Sequence, residues 1–358
     1  MSTIEQSTDL EARVEAAVGA IAGHLTGAAV TSAIILGDEL GLYAELAEGP
    51  ITAGELSSRR SVNERLTREW LDGQSAAGIV AYDAEADTYR LLEEYAPILV
   101  DRDAPTYMAA GASVMRCNFM DLDGVVDAFR TDGAFPWGAH HECLFRGTGE
   151  FFRPGYRTFL VDDWIASLDG VTERLRAGGR VLDVGCGVGH SSVLIAEAFP
   201  ATTVVGIDAH PGSIRLAREN VAASTASERL DMRIGRADDY HGSYDLICFF
   251  DCLHDMGDPV GIARHALEQL AVGGTVLVVE PFAMDDREAN QRENHFAPLA
   301  YIASTFFCTP NSLSQDVGRA MGAQSGEAGM RAVFEEAGYR HFRRAAETPF
   351  NIVYEARA

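Results

Sequence analysis

The stretch VLDVGCGVGH (Val181–His190) limits what this chain can fold into more than any other. An apolar, β-branched run passes into glycines at 185, 187 and 189 and then into the helical pattern HSSVLIAEAF. Glycines there let the backbone turn sharply and approach a ligand at a strand's C-terminal end, where doubly wound folds bind nucleotides. A dinucleotide fingerprint would need a third glycine at position 190, which here is His190. The spacing is instead D-x-G-x-G-x-G, led by Asp183.

The flanking text agrees with such a fold. From Arg180 the runs RVLDVG, TTVVGID, LDMRIG, YDLICFF and TVLVVEPF alternate with helical stretches such as GSIRLAREN. Near-continuous apolar strands separated by helices predict a parallel sheet covered on both faces. At the end, YRHFRRAAE and FNIVYEAR predict a hairpin on the sheet edge. Asp208 closes the second run, where a carboxylate can accept both hydroxyls of a ribose. Asp238, in GRADDYHG after the third run, is a candidate acceptor for an exocyclic adenine amine. A lone glycine loop is weak evidence, but glycine loop, ribose acid and third-strand acid in order form a strong signal.

The front of the chain reads differently. Val14, Val18, Ile21 and Leu25 mark one apolar helix face, suited either to a dimer interface or to an intramolecular core. Two short helices, at about 53–59 and 62–76, then lead to GIVAY and TYRLL, the order of a winged helix. DNA binding would need a basic stripe, yet Arg59, Arg60, Arg65 and Arg68 are interleaved with Glu55, Glu64, Glu69 and Asp72. A net charge of −24 argues against both nucleic acid and anionic membranes as partners. The start MSTIEQSTDLEAR lacks a leader pattern, and unbroken apolar runs fall short of the ~20 residues that span a bilayer. Cys117, Cys143, Cys186, Cys248, Cys252 and Cys308 are scattered without a C-x-x-C pair. Reduced thiols in a cytoplasmic protein, without a metal site, are therefore expected.

Residues 96–155 lack clean periodicity and are rich in glycine, aromatics and methionine, as in a connector that walls a pocket. His140 and His141 are adjacent, so they point apart and make a poor metal pair; a structural or rim role is expected. The chain is thus expected to divide into 1–95, 96–155 and 156–358, with a long insertion at about 282–329 forming a lid. Within the lid, Asn294, Tyr301, Ser304, Cys308 and Asn311 are candidate substrate contacts.

After the fourth run comes CLHDMGDP (Cys252–Pro259). His254 there is either a base or a polar residue with a structural partner. Glu280, at the end of LVVEPF, either orients it or caps the next segment.

On these residues the chain resembles the class I S-adenosylmethionine-dependent methyltransferases, from about Gly178 to the C-terminus. The segment LGLYAELAEGPITAGELSSR with AAGIVAYD is similar to the winged-helix dimerisation region of small-molecule O-methyltransferases. FFDCLHDMGDP, STFFCTPNSLSQDVG and TPFNIVYEAR resemble an actinobacterial subgroup of that layout. The resemblance implies an α/β, Rossmann-like, doubly wound and mostly parallel seven-stranded sheet with an antiparallel last strand, behind an N-terminal, mostly helical winged-helix domain. It implies S-adenosylmethionine as cofactor, S-adenosylhomocysteine as product, a small aromatic or polycyclic acceptor, and a homodimer. Asp183, Gly185, Gly187 and Gly189 would line the cofactor's methionine and ribose portions, with Cys186 among them. Asp208 would hold the ribose and Asp238 the adenine, with Ala209, Ala237, Phe250 and Asp251 alongside. His254 matches the base of an H-D-W-x-D motif, and Glu280 the acid that orients it. Met256 replaces the motif's tryptophan, and Gly235-Arg236 stands where many relatives have Gly-Asp. The alternatives are an enzyme of this fold working by proximity alone or doing other chemistry, and a cofactor-sensing winged-helix module.

Overall fold

A computed structural model describes residues 3–358, with side chains from residue 9 onward. Met1–Arg116 and Cys117–Ala358 form two compact units.

The first unit begins with α1 (Thr3–Leu40), followed by α2 (Leu42–Ala47), α3 (Ala53–Arg60) and α4 (Glu64–Ala76). Thr52 and Glu55 form a reciprocal capping box that starts α3, and Asn63 caps α4. An antiparallel wing of β1 (Val80–Asp83) and β2 (Thr88–Leu91) completes the winged helix. Its core is Leu42, Tyr43, Leu46, Leu56, Leu71 and Tyr89. Arg68 pairs with Asp87 at 3.1 and 3.2 Å, so this basic group of α4 is engaged with the wing.

Along α1 the apolar face is open: Val14, Val18, Ile21 and Leu25 are 53, 63, 60 and 68% exposed. An intramolecular core is therefore not where these side chains go. By length and composition Asp9–Leu40 is also apolar enough to cross a membrane. The expectation from unbroken apolar runs stands, but alanine, valine, isoleucine and leucine keep the mean hydropathy of this helix high across the interruptions.

Next come α5 (Ala96–Leu99), α6 (Ala109–Met120), α7 (Leu122–Arg130), α8 (Cys143–Phe159) and α9 (Val171–Arg176). Cys117 and Cys143 are joined by a disulfide with Cα atoms 6.3 Å apart, contrary to the expectation of six thiols. Folding, not sequence spacing, joins these residues. Cys186, Cys248, Cys252 and Cys308 are free.

The sheet begins at β3 (Arg180–Val184), with α10 (His190–Ala198), β4 (Thr203–Asp208), α11 (Pro211–Ala223) and β5 (Leu230–Ile234) following. The chain returns as β6 (Tyr244–Phe250), α12 (Pro259–Gln269) and β7 (Leu270–Pro281). The insertion carries α13 (Arg287–Glu293), α14 (Ala297–Ala303) and α15 (Thr309–Leu313), with a π-helical turn at Ser304–Cys308. Then α16 (Gly326–Ala337), β8 (His341–Glu347) and β9 (Asn351–Arg357) close the chain.

Strand order is β5-β4-β3-β6-β7-β9-β8, as expected for a doubly wound sheet of seven strands. The strands from β5 to β7 run parallel, while β9 is antiparallel to both β7 and β8. The final hairpin lies at the sheet edge as expected, with β9 against β7 and β8 outermost. Ile352, Val353 and Tyr354 are buried, whereas β8 carries Arg343 and Arg344 and so takes the rim. Alternate strand residues feed two cores: Leu182 and Ile247 with Val333 and Phe334 on one face, Val181 and Leu246 with Trp164 and Ile195 on the other.

Candidate active site

Strand order reverses between β3 and β6, and the C-terminal ends of these strands open into a cleft of about 960 Å³. That is the size and position expected of a nucleotide site in an open α/β sheet. Gly185, Gly187 and Gly189 have φ of 71, 52 and 80°, which side chains adopt only with strain. A Cβ on Gly185 would also lie 2.9 Å from Cys252 Sγ. The loop is pinned by Gly185 N and Cys186 N donating to Ile207 O at 2.8 and 3.0 Å.

Two carboxylates lie beneath this loop. Asp208 accepts Gly187 N at 2.9 Å and His210 N at 2.8 Å, while burial pushes its pKa up. Asp183 accepts Ser191 Oγ and Ser192 Oγ, both at 2.6 Å, through Oδ2. Its Oδ1 is buried without a partner, and burial raises the carboxyl to about 6. Asp208, Ala209, Ala237, Asp238, Phe250 and Asp251 reach the cleft wall. Asp238 also holds Arg236 through two 2.8 Å bonds, so an adenine amine would share that carboxylate with a guanidinium.

Beyond β6 the chain reverses within a few residues. Asp251 has φ of +50°, and Leu253–Asp255 form a single 3₁₀ turn. This turn aims His254 at Glu280 on β7, and His254 Nδ1 bonds Glu280 Oε2. Both side chains are under 5% exposed. Burial disfavours the imidazolium, but Glu280 and the neighbouring Cys308 outweigh it and hold His254 well above the usual histidine pKa. Asp251 Oδ1 accepts Asn351 Nδ2 at 2.9 Å, which ties the turn to β9. Asp258 is a helix cap: its Oδ1 accepts Gly261 N at 2.8 Å and Pro259 follows at the first position of α12.

Asp255, to which the sequence assigned no role, is a half-buried carboxyl on the cleft wall that desolvation raises to about 7. The D in H-D-M was a signal, but nothing in the sequence said that it would lie on the cleft wall with Asp251 and Asp258.

The lid candidates separate. Cys308 is close enough to hydrogen-bond His254, and Asn311 lies on the cleft wall. Asn311 links Trp137 N to Asp255 O at 3.0 and 3.1 Å. Asn294 instead donates to Phe282 O at 3.1 Å and Asn290 Oδ1 at 3.0 Å. Tyr301 OH accepts Asn290 Nδ2 at 3.3 Å, and Ser304 Oγ accepts Ala323 N at 3.1 Å. Asn294 and Ser304 thus hold the lid's own backbone, and Tyr301 meets the Asn290 side chain. Among the described residues, no cluster of three or more His, Cys, Asp or Glu has the arrangement of a metal site.

Glycine loop, paired acids and strand order define a doubly wound α/β domain with a nucleotide-type cleft. Residues 175–324 match the family described as "Methyltransferase domain", and residues 28–101 match "Rv2258c-like winged HTH domain". A segment that matches a methyltransferase domain thus follows one that matches a winged helix-turn-helix domain. It is 34% identical over 118 residues to the ubiquinone biosynthesis O-methyltransferase of Xanthomonas campestris pv. campestris, a match spanning 31% of this chain and 47% of that one. It is 27% identical over 229 residues to the indolepyruvate C-methyltransferase of Streptomyces griseus, covering 63% of each. Its fold is similar to that of the mitomycin 7-O-methyltransferase MmcR, with TM-score 0.69 and 22% identity over 97% of this chain and 100% of that one. Human N-acetylserotonin methyltransferase, solved in complex with its cofactor SAM, gives TM-score 0.69 and 18% identity over 95% and 97%.

The residues present fit S-adenosylmethionine. Asp183 leaves a buried oxygen unpartnered where an ammonium could bind, Asp208 keeps acceptor capacity at the cleft, and the glycine loop leaves room for close approach.

Proposed function

We propose that this protein transfers a methyl group from S-adenosylmethionine to a hydroxyl of a small aromatic acceptor, with His254 as general base. The observation that carries this reading is the buried His254–Glu280 pair at the strand ends beside the glycine-loop cleft. When bound, S-adenosylmethionine supplies an electrophilic methyl group on a sulfonium. Asp208 would receive the ribose hydroxyls, Asp183 Oδ1 the amino group, and Asp238 would serve the adenine. Glu280 accepts the Nδ1 proton of His254, which leaves Nε2 to take the acceptor's hydroxyl proton and make the oxygen the stronger nucleophile. Glu280 then stabilises the imidazolium. The insertion between β7 and α16 keeps water out while Cys308 and Asn311 shape the acceptor wall. The test is calorimetry and product mass. Micromolar-range cofactor binding should vanish in Asp208→Ala, and His254→Ala should keep it while losing ~10²–10⁴-fold in turnover. Wild-type protein that evolves no heat with cofactor would sink the reading, and unchanged turnover in His254→Ala would remove the base.

A second copy of the chain is the occupant proposed for the open face of α1. The stripe from Val14 to Leu25 has the four-three-four spacing of a helix pair, and acids and arginines flank it (Glu11, Arg13, Glu15). With that face covered, α1 needs no bilayer and the enzyme works as a cytoplasmic homodimer.

A further inference from the structure

A second buried histidine–carboxylate pair lies apart from His254 and Glu280. Asp121 precedes α7, and its Oδ2 is 2.8 Å from His140 Nδ1. Its Oδ1 accepts the His141 backbone N–H at 3.0 Å, which holds the carboxylate in place. A carboxylate so placed takes the proton of Nδ1 and leaves Nε2 as a lone-pair acceptor. Nε2 is buried and has no hydrogen-bond partner, and the imidazole has no exposed surface. Burial outweighs Asp121 and keeps the ring below the usual histidine pKa, so it stays neutral. Around it stand the rings of Phe135, Phe307 and Trp137, with centroids at 4.5, 5.3 and 6.1 Å.

The same elements reach His254. Phe307 and Cys308 are consecutive in the π-helical turn; Phe307 packs on His140, while Cys308 meets His254. Phe135 N donates to Pro310 O at 3.1 Å, so the His140 loop is sewn to α15. Asn311 continues the link to Asp255 O, beside His254. An acceptor without a donor, enclosed by aromatic edges, is a poor structural device, because burying an unbonded acceptor is destabilising. It suits a flat ligand that brings its own donor.

We propose that His140, oriented by Asp121, determines acceptor specificity: Nε2 accepts a hydrogen bond from a second hydroxyl, so the preferred acceptors are dihydroxylated aromatic rings. This rests on the reading of the protein as a methyltransferase for aromatic hydroxyls. The test is calorimetric titration of the full chain with 2,3-dihydroxynaphthalene and 2-naphthol, with and without S-adenosylhomocysteine. Wild type should bind the diol about tenfold more tightly than the mono-ol, the worth of one hydrogen bond. His140→Phe should bring the ratio close to one while S-adenosylhomocysteine affinity is unchanged. Asp121→Asn should do the same with the imidazole still present, since an amide donating to Nδ1 moves the ring proton onto Nε2. A ratio that persists in His140→Phe, or wild type that binds neither naphthol, overturns the proposal. Failure to bind S-adenosylhomocysteine overturns the methyltransferase reading instead, and the cofactor-free titrations still decide the role of His140.

Discussion

Glu280 governs what His254 can do. With the carboxylate on Nδ1, the imidazolium is stabilised and the base form appears only as pH rises through a value well above the usual one. Turnover at limiting acceptor should therefore climb with pH on the alkaline side of neutrality. Glu280→Gln should move that limb down toward ~6.5, the ordinary histidine value, with a smaller plateau. A limb that does not move would show that another group sets it. The sign for stability is the opposite. The raised folded pKa contributes stabilisation that is complete below ~6.5 and lost as pH rises through the folded value. His254 and Glu280 were both visible as residues in the sequence, but their bond was not, since 26 positions separate them. Nor was His140–Asp121, because two adjacent histidines read as a rim until the loop folds back on Asp121.

The turn CLHDMGDP has two halves with different work. Its second aspartate matched the same motif as the histidine and caps α12, and both aspartates reach the cleft wall. Losing a cap costs about 0.5–2 kcal/mol, so Asp258→Ala should lower stability by ~1 kcal/mol in chemical denaturation. Cofactor affinity should fall far less than in Asp208→Ala, because the Asp258 carboxylate is engaged by the Gly261 N–H. A loss of cofactor binding matching that of Asp208→Ala would assign Asp258 to the site. The lid teaches a similar point. Polar residues on a helical pattern looked like substrate contacts, but Asn294 and Ser304 bond the insertion's backbone and Tyr301 bonds Asn290, as buried amides and hydroxyls must find partners.

The winged-helix unit pairs its wing with α4 and leaves a stripe of α1 open. If that stripe joins two copies, Val18→Glu with Ile21→Glu should convert a dimer to a monomer in sedimentation velocity, leaving cofactor affinity unchanged. Wild type sedimenting as a monomer at micromolar concentration would refute the dimer, and recovery of the wild type in membrane vesicles would point to the bilayer instead.

What the sequence by itself determined is what local chemistry dictates. Alternating strands and helices, positive-φ glycines, the acid at the end of β4 and the helix caps all follow from neighbours a few positions apart. Only the tertiary structure decided which polar groups meet across the sheet ends: Glu280 with His254, Asp121 with His140, Cys117 with Cys143, and β9 between β7 and β8. These pairings depend on burial. A buried polar atom takes whichever partner the packed chain brings within 3 Å or so, and sequence separation carries no record of that choice.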